Sequence, residues 1–195
     1  MTQGKSSALL SAESCCLAVI DVQEKLIPVI SGADSVIRSC RFLMEAAQLM
    51  QVPTFLTEQY PPGLGHTVPE LTEGLTGLSC RQKLRFSAAD VIERQVAEDS
   101  PNGRGEPACI VLVGIEAHIC LLQTALDLAH RGYQVFVAAD ATGSRDTCDH
   151  DFALKRLAAG GVTVTTAESI VFEWCESAEH PNFRTLSQLV RSRRR

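Results

Sequence analysis

Near-continuous apolar runs recur along this chain, each followed by a helical pattern, and this alternation constrains the fold more than any other feature. Strands are predicted over residues 16–21, 53–58, around 79–83, 108–114, 134–140 and 162–166. Helices are predicted near 34–50, 88–98, 118–131 and 147–159, with two more near 168–175 and 181–191. A strand that is apolar at every position, rather than at every second one, buries both of its faces. The pattern therefore predicts an α/β chain, a three-layer α/β/α sandwich around a six-stranded parallel sheet. Right-handed crossovers permit the doubly wound, Rossmann-like order 3-2-1-4-5-6, in which strands 1 and 4 meet at the switch point where such sheets bind ligands. No Gly-x-Gly-x-x-Gly and no phosphate-loop signature is present, so the architecture carries no sign of a dinucleotide and no cofactor is expected.

With 195 residues and 45% hydrophobic content, one domain over 1–195 is expected, its core at about 13–190 between a short flexible N-terminus and a basic C-terminal tail. The net charge of −5 and the few, scattered aromatics argue against general nucleic-acid binding. No apolar run is long enough to span a bilayer, and the start Met1-Thr-Gln-Gly-Lys lacks the order of a signal peptide, so a cytoplasmic protein without a membrane partner is expected. Several of the eight cysteines, such as Cys16, Cys40 and Cys109, lie inside apolar elements and read as small buried hydrophobes. There is no Cys-x-x-Cys, and reduced thiols fit best. Arg191-Ser-Arg-Arg-Arg195 reads as a solvated tail.

The stretch Val111-Leu-Val-Gly-Ile-Glu-Ala-His-Ile-Cys120 runs from a buried strand into a helix, with Cys120 in the first helical turn. A thiol there feels exposed N–H groups and the positive end of the helix dipole, which favours the thiolate and makes Cys120 the candidate nucleophile. Asp21 ends strand 1, so it meets Cys120 across the switch point. Lys83, leaving strand 3, reaches in from the side.

Three motifs, in this order and spacing, carry a resemblance: Leu17-Ala-Val-Ile-Asp21-Val-Gln23, Arg81-Gln-Lys83-Leu-Arg-Phe-Ser87 and Gly114-Ile-Glu-Ala-His-Ile-Cys120. From Cys15 to Val190 the chain resembles the isochorismatase-like cysteine hydrolases, the superfamily of nicotinamidases and N-carbamoylsarcosine amidohydrolase. Thr57-Glu-Gln-Tyr-Pro-Pro-Gly-Leu-Gly65 and Ala138-Ala-Asp-Ala-Thr-Gly-Ser-Arg145 look most like the isochorismatase domain-containing branch. The resemblance implies a catalytic triad of Asp21, Lys83 and Cys120. It also implies a cis peptide between Ile115 and Glu116, with the N–H groups of Glu116 and Cys120 forming an oxyanion hole. The physical roles fit: Asp21 takes the thiol proton and later activates water, while Lys83 supplies the opposing charge. Attack on an amide or carbamoyl carbonyl then gives a thioester.

Departures from the pattern bear on substrate. Metal-dependent nicotinamidases carry an Asp-x-His and further histidines after strand 2. Here Thr57-Glu58-Gln59-Tyr60 stands there with only His66 following, so no metal is expected and nicotinamide is disfavoured. True isochorismatases lack the nucleophilic cysteine, so Cys120 points away from vinyl-ether cleavage. Gln23, Glu58 and Tyr60 are candidates for lining the pocket of a small-molecule substrate, each with a structural reading of equal weight. His118 stands beside the nucleophile, facing either substrate or solvent. Asp140 and Arg145 read as a structural ion pair or turn brace. By resemblance the chain is a homo-oligomer, whether dimer, tetramer or larger. Two further functions stay open: an idle or regulatory interaction module of the same fold, and redox sensing through Cys120, with Cys148 as resolving thiol if the fold brings it near.

Overall fold

Strands β1 (Cys15–Ile20) and β4 (Cys109–Ile115) are apolar at every position because alternate residues serve two separate cores. Leu17, Val19, Val111 and Val113 pack on one side of the sheet with residues of α1 (Ala33–Leu49), α7 (Ala167–Cys175) and α8 (Phe183–Arg193). Ala18, Ile20, Ile110 and Leu112 pack on the other with α4 (Ala89–Asp99), α5 (Leu122–His130) and α6 (Thr147–Ala159). The computed structural model describes residues 6, 8–99 and 109–193. The expected strand start at residue 108, most of the first seven residues and the last two arginines lie outside them.

The sheet has six strands in the order β3-β2-β1-β4-β5-β6, with β2 (Thr54–Gln59), β3 (Ser79–Lys83), β5 (Gln134–Gly143) and β6 (Thr163–Thr165) completing it. Every neighbouring pair is parallel. This is the expected α/β order, with helices on both faces. The register sets Ile20 beside Thr57 on one side and Gly114 on the other, and Gln59 beside Lys83. The ends of β1, β2, β3 and β4 thus open on one crevice at the switch point.

Three departures from the expected elements matter. The helix expected over 118–131 begins instead as a π-helical turn, Ala117–Leu121, before α5 continues in α geometry. Between β2 and β3 two four-residue helices form, α2 (Pro61–Leu64) and α3 (Pro69–Thr72). Each starts with proline, whose missing N–H costs nothing in the first turn. At the far end α8 runs on through Arg193, whose guanidinium meets Asp140 and Ser39 and lies over the Phe42 ring. That position corrects the reading of a freely solvated tail for Arg193: the carboxylate and ring recruit the cation. Among the described residues no helix is long and apolar enough to cross a membrane.

Candidate active site

Asp21 follows the last residue of β1 in the left-handed region (φ 51°) and has no solvent exposure. Its place depends on Gly114, which lies opposite Ile20 with φ 111°. A Cβ there would stand 2.2 Å from the Ile20 carbonyl oxygen, so only glycine lets β4 approach β1 this closely. The Asp21 carboxylate accepts a hydrogen bond from Thr57 Oγ1 at 2.7 Å on Oδ1 and one from Lys83 Nζ at 2.6 Å on Oδ2.

Lys83 closes β3 with its side chain almost wholly buried. Besides Asp21, its ammonium meets Gln59 Oε1 at 2.9 Å and the carbonyls of Phe86 and Arg85 at 2.9 and 3.3 Å. Such a buried cation is tolerable because its N–H groups and its charge are both matched. Gln59 is fixed in turn: its Nε2 donates to the Leu84 carbonyl, and its backbone N–H donates to Gln23 Oε1. Thr57 and Gln59, not singled out in the sequence, are thus part of the arrangement. The signal was available as polar residues closing an otherwise apolar interior strand.

Cys120 sits in the π turn, whose Leu121 N–H donates to the Glu116 carbonyl at 3.2 Å. The thiol is buried and lies within the electrostatic reach of both Asp21 and Lys83. Burial first and the Asp21 charge second push it up to about 12, with Lys83 opposing. This corrects the expectation of a resting thiolate, because burial and a carboxylate outweigh the helix terminus. Asp21 therefore bonds the cation directly and bears on the thiol through its charge. The peptide between Ile115 and Glu116 is cis.

The remaining candidates divide by what their polar atoms touch. The Gln23 amide is fully engaged with backbone, accepting from Gln59 N and donating to the carbonyls of Gln59 and Gly65. It braces the end of β2 and has no polar atom left for a substrate. Glu58 accepts from the N–H and hydroxyl of Thr67 and lies 3.2 Å from His66 Nδ1. Burial opposes its charge, but these hydrogen bonds prevail and hold the carboxyl below its usual range. Tyr60, half exposed, borders a cleft of about 520 Å³ shared with Pro61, Lys83, Leu84, Ser87 and Val91. His118 Nδ1 lies 2.9 Å from Ser144 Oγ. Asp140 and Arg145, read as a structural ion pair or turn brace, do not pair with each other but each makes a structural ion pair elsewhere. Asp140, inside the longer β5, takes Arg193 and the Ala167 N–H, whereas Arg145, past the strand end, bonds Glu116. Cys148 is exposed in α6 while Cys120 is buried. Among the described residues no three His, Cys, Asp or Glu side chains are grouped to hold a metal ion.

The isochorismatase domain matches residues 15–169. The chain belongs to the isochorismatase domain family. It is 39% identical over 181 residues to isochorismatase domain-containing protein 2 of Danio rerio, covering 93% of this chain and 89% of that protein. To isochorismatase domain-containing protein 1 of the same organism it is 38% identical over 192 residues, 97% of this chain and 64% of that one. A structure named MAR1 ribonuclease from Caenorhabditis elegans superposes with a TM-score of 0.86 at 36% identity, covering 93% and 92% of the two chains. Asp21, Lys83 and Cys120 all fall inside the isochorismatase domain match, whereas α8 and its Arg193 latch lie beyond it.

Proposed function

We propose that this chain is a metal-independent cysteine hydrolase that cleaves a small amide or carbamoyl-type C–N bond through a thioester. The observation that carries the reading is the buried Asp21 carboxylate, which takes the Lys83 ammonium at 2.6 Å while its charge acts on the buried Cys120 thiol. Cys120 Sγ attacks the carbonyl carbon as its proton passes to Asp21, and Asp21 returns that proton to the departing amine. Water then attacks the thioester, losing a proton to Asp21, and the acid product leaves as the thiol is restored. The Lys83 ammonium, held by four acceptors, offsets the negative charge as it moves from the carboxylate to Sγ. The backbone N–H groups of Glu116 and Cys120, at the N-terminal end of the helix where donors outnumber acceptors, are the proposed oxyanion hole.

The test is a panel of small amides, carbamoyl compounds and esters, with short RNA included because of the name carried by the nematode relative. Turnover of a carbonyl compound is expected, with Cys120→Ala lowering it by about 10³-fold or more at an unchanged circular dichroism spectrum. Full activity in that variant would overturn the cysteine-nucleophile reading, and no activity on any carbonyl compound would favour the interaction-module reading. We also read the protein as a cytoplasmic homo-oligomer. Free cysteines suit a reducing compartment, and Leu84 (76% exposed) and Phe86 beside Lys83 leave apolar surface to be covered. Sedimentation velocity at micromolar concentration should give a species larger than one chain, and a monomer would contradict this.

A further inference from the structure

Lys83 ends β3 and Cys120 follows β4, strands that lie on either flank of β1 in the sheet order, and one fully buried hydroxyl connects the segments that carry them. Thr124 lies one turn after Cys120, and its Oγ1 donates to the Cys120 carbonyl at 2.6 Å. The same oxygen accepts the Ala88 backbone N–H at 2.8 Å. Ala88 immediately precedes α4 and ends the loop whose Arg85 and Phe86 carbonyls hold the Lys83 ammonium. A continuous path therefore runs from Lys83 Nζ, through residues 85–88, to Thr124 and the carbonyl of the nucleophile. A threonine hydroxyl suits this junction because it donates and accepts at once, and because it reaches the carbonyl four residues back in a helix. The junction falls where the π turn at Ala117–Leu121 passes into α5, so the backbone of Cys120 is pinned from outside the helix.

We propose that Thr124 is a positioning residue that sets how the Cys120 sulfur and its acyl group face Asp21, by tying the nucleophile turn to the loop that cages Lys83. The inference rests on the triad reading above. It makes Thr124 matter most in the step where Asp21 directs water at the thioester, since a small displacement of the acyl carbon separates it from that water.

The experiment follows the lifetime of an acetyl group placed on Cys120 by p-nitrophenyl acetate, read by intact-protein mass spectrometry with peptide mapping. Thr124→Val, similar in shape but unable to hydrogen-bond, should lengthen that lifetime by about tenfold. Thr124→Ser, which keeps both hydrogen bonds, should stay within about twofold of wild type. In an Asp21→Asn background Thr124→Val should add nothing, because the water has already lost its base. A role confined to packing would lower the melting temperature without this rescue by serine. The proposal is overturned if folded Thr124→Val releases acetyl at the wild-type rate, or if Thr124→Ser is as slow as Thr124→Val. Should the valine variant not fold, Thr124→Ala compared with Thr124→Ser decides between the same outcomes. Failure of the triad reading shows separately, as a wild-type protein that takes no acetyl on Cys120 or an Asp21→Asn variant that clears it at the wild-type rate.

Discussion

Asp21 holds a carboxylate with no exposure between a cation and a thiol, and its charge and that of Lys83 act on the thiol in opposite senses. Asp21 raises the Cys120 thiol while Lys83 lowers it, so the two substitutions move that thiol in opposite directions. Asp21→Asn should let iodoacetamide label Cys120 at lower pH than in wild type, even as hydrolytic turnover is lost. Lys83→Met should push labelling to still higher pH, and by leaving a buried carboxylate unpaired it should cost about 3–5 kcal/mol in urea unfolding. Labelling curves that coincide in all three proteins would contradict this electrostatic account. At this scale the sequence marked Asp21, Lys83 and Cys120 because each sits at the end of a strand or start of a helix that the topology brings together. Gln59 and Thr57 were harder to see. Their hydrogen bonds depend on which way the end of β2 points its side chains, and that is fixed by the Gln23 amide clamp.

At the scale of elements, Gly114 and the π turn decide where those residues stand. Gly114→Ala should destabilise the protein by more than about 4 kcal/mol or prevent folding, since its Cβ would overlap backbone atoms of Ile20 rather than a side chain able to move. A chemical denaturation midpoint equal to wild type would refute the close approach of β1 and β4. The order of strands and helices was legible because burial on two faces writes an unbroken apolar run. The π turn was not, because five residues are too few to separate its period from that of an α-helix. The helices α2 and α3 escaped for a related reason: one turn each leaves no periodicity to read, only prolines that suit turns equally well.

For the molecule as a whole, buried thiols link stability to alkaline pH. Burial, together with a nearby carboxylate, holds Cys40 and Cys120 up to about 12, above the ordinary thiol value. The folded state therefore keeps these protons more tightly than the unfolded chain. Their contribution is complete below the unfolded thiol pKa and is lost as pH rises toward the folded value, at about 1.4 kcal/mol per pH unit for each thiol. Melting temperatures from pH 8 to 11 should fall accordingly, and less steeply in Cys40→Ala; a flat profile in wild type would contradict this. The parallel order at this scale was readable from crossover rules, but the docking of Arg193 onto Asp140 was not, because it joins residues distant in sequence through a helix whose end periodicity leaves open.

The claim on which the rest depends is that Cys120 carries the acyl group and Asp21 removes it. It is tested by treating wild type, Cys120→Ala and Asp21→Asn with p-nitrophenyl acetate and mapping the acetyl group over time. The account predicts acetyl on Cys120 that clears in wild type, persists in Asp21→Asn and is absent from Cys120→Ala. Acetyl spread over other residues, with clearance unchanged by Asp21→Asn, would contradict it.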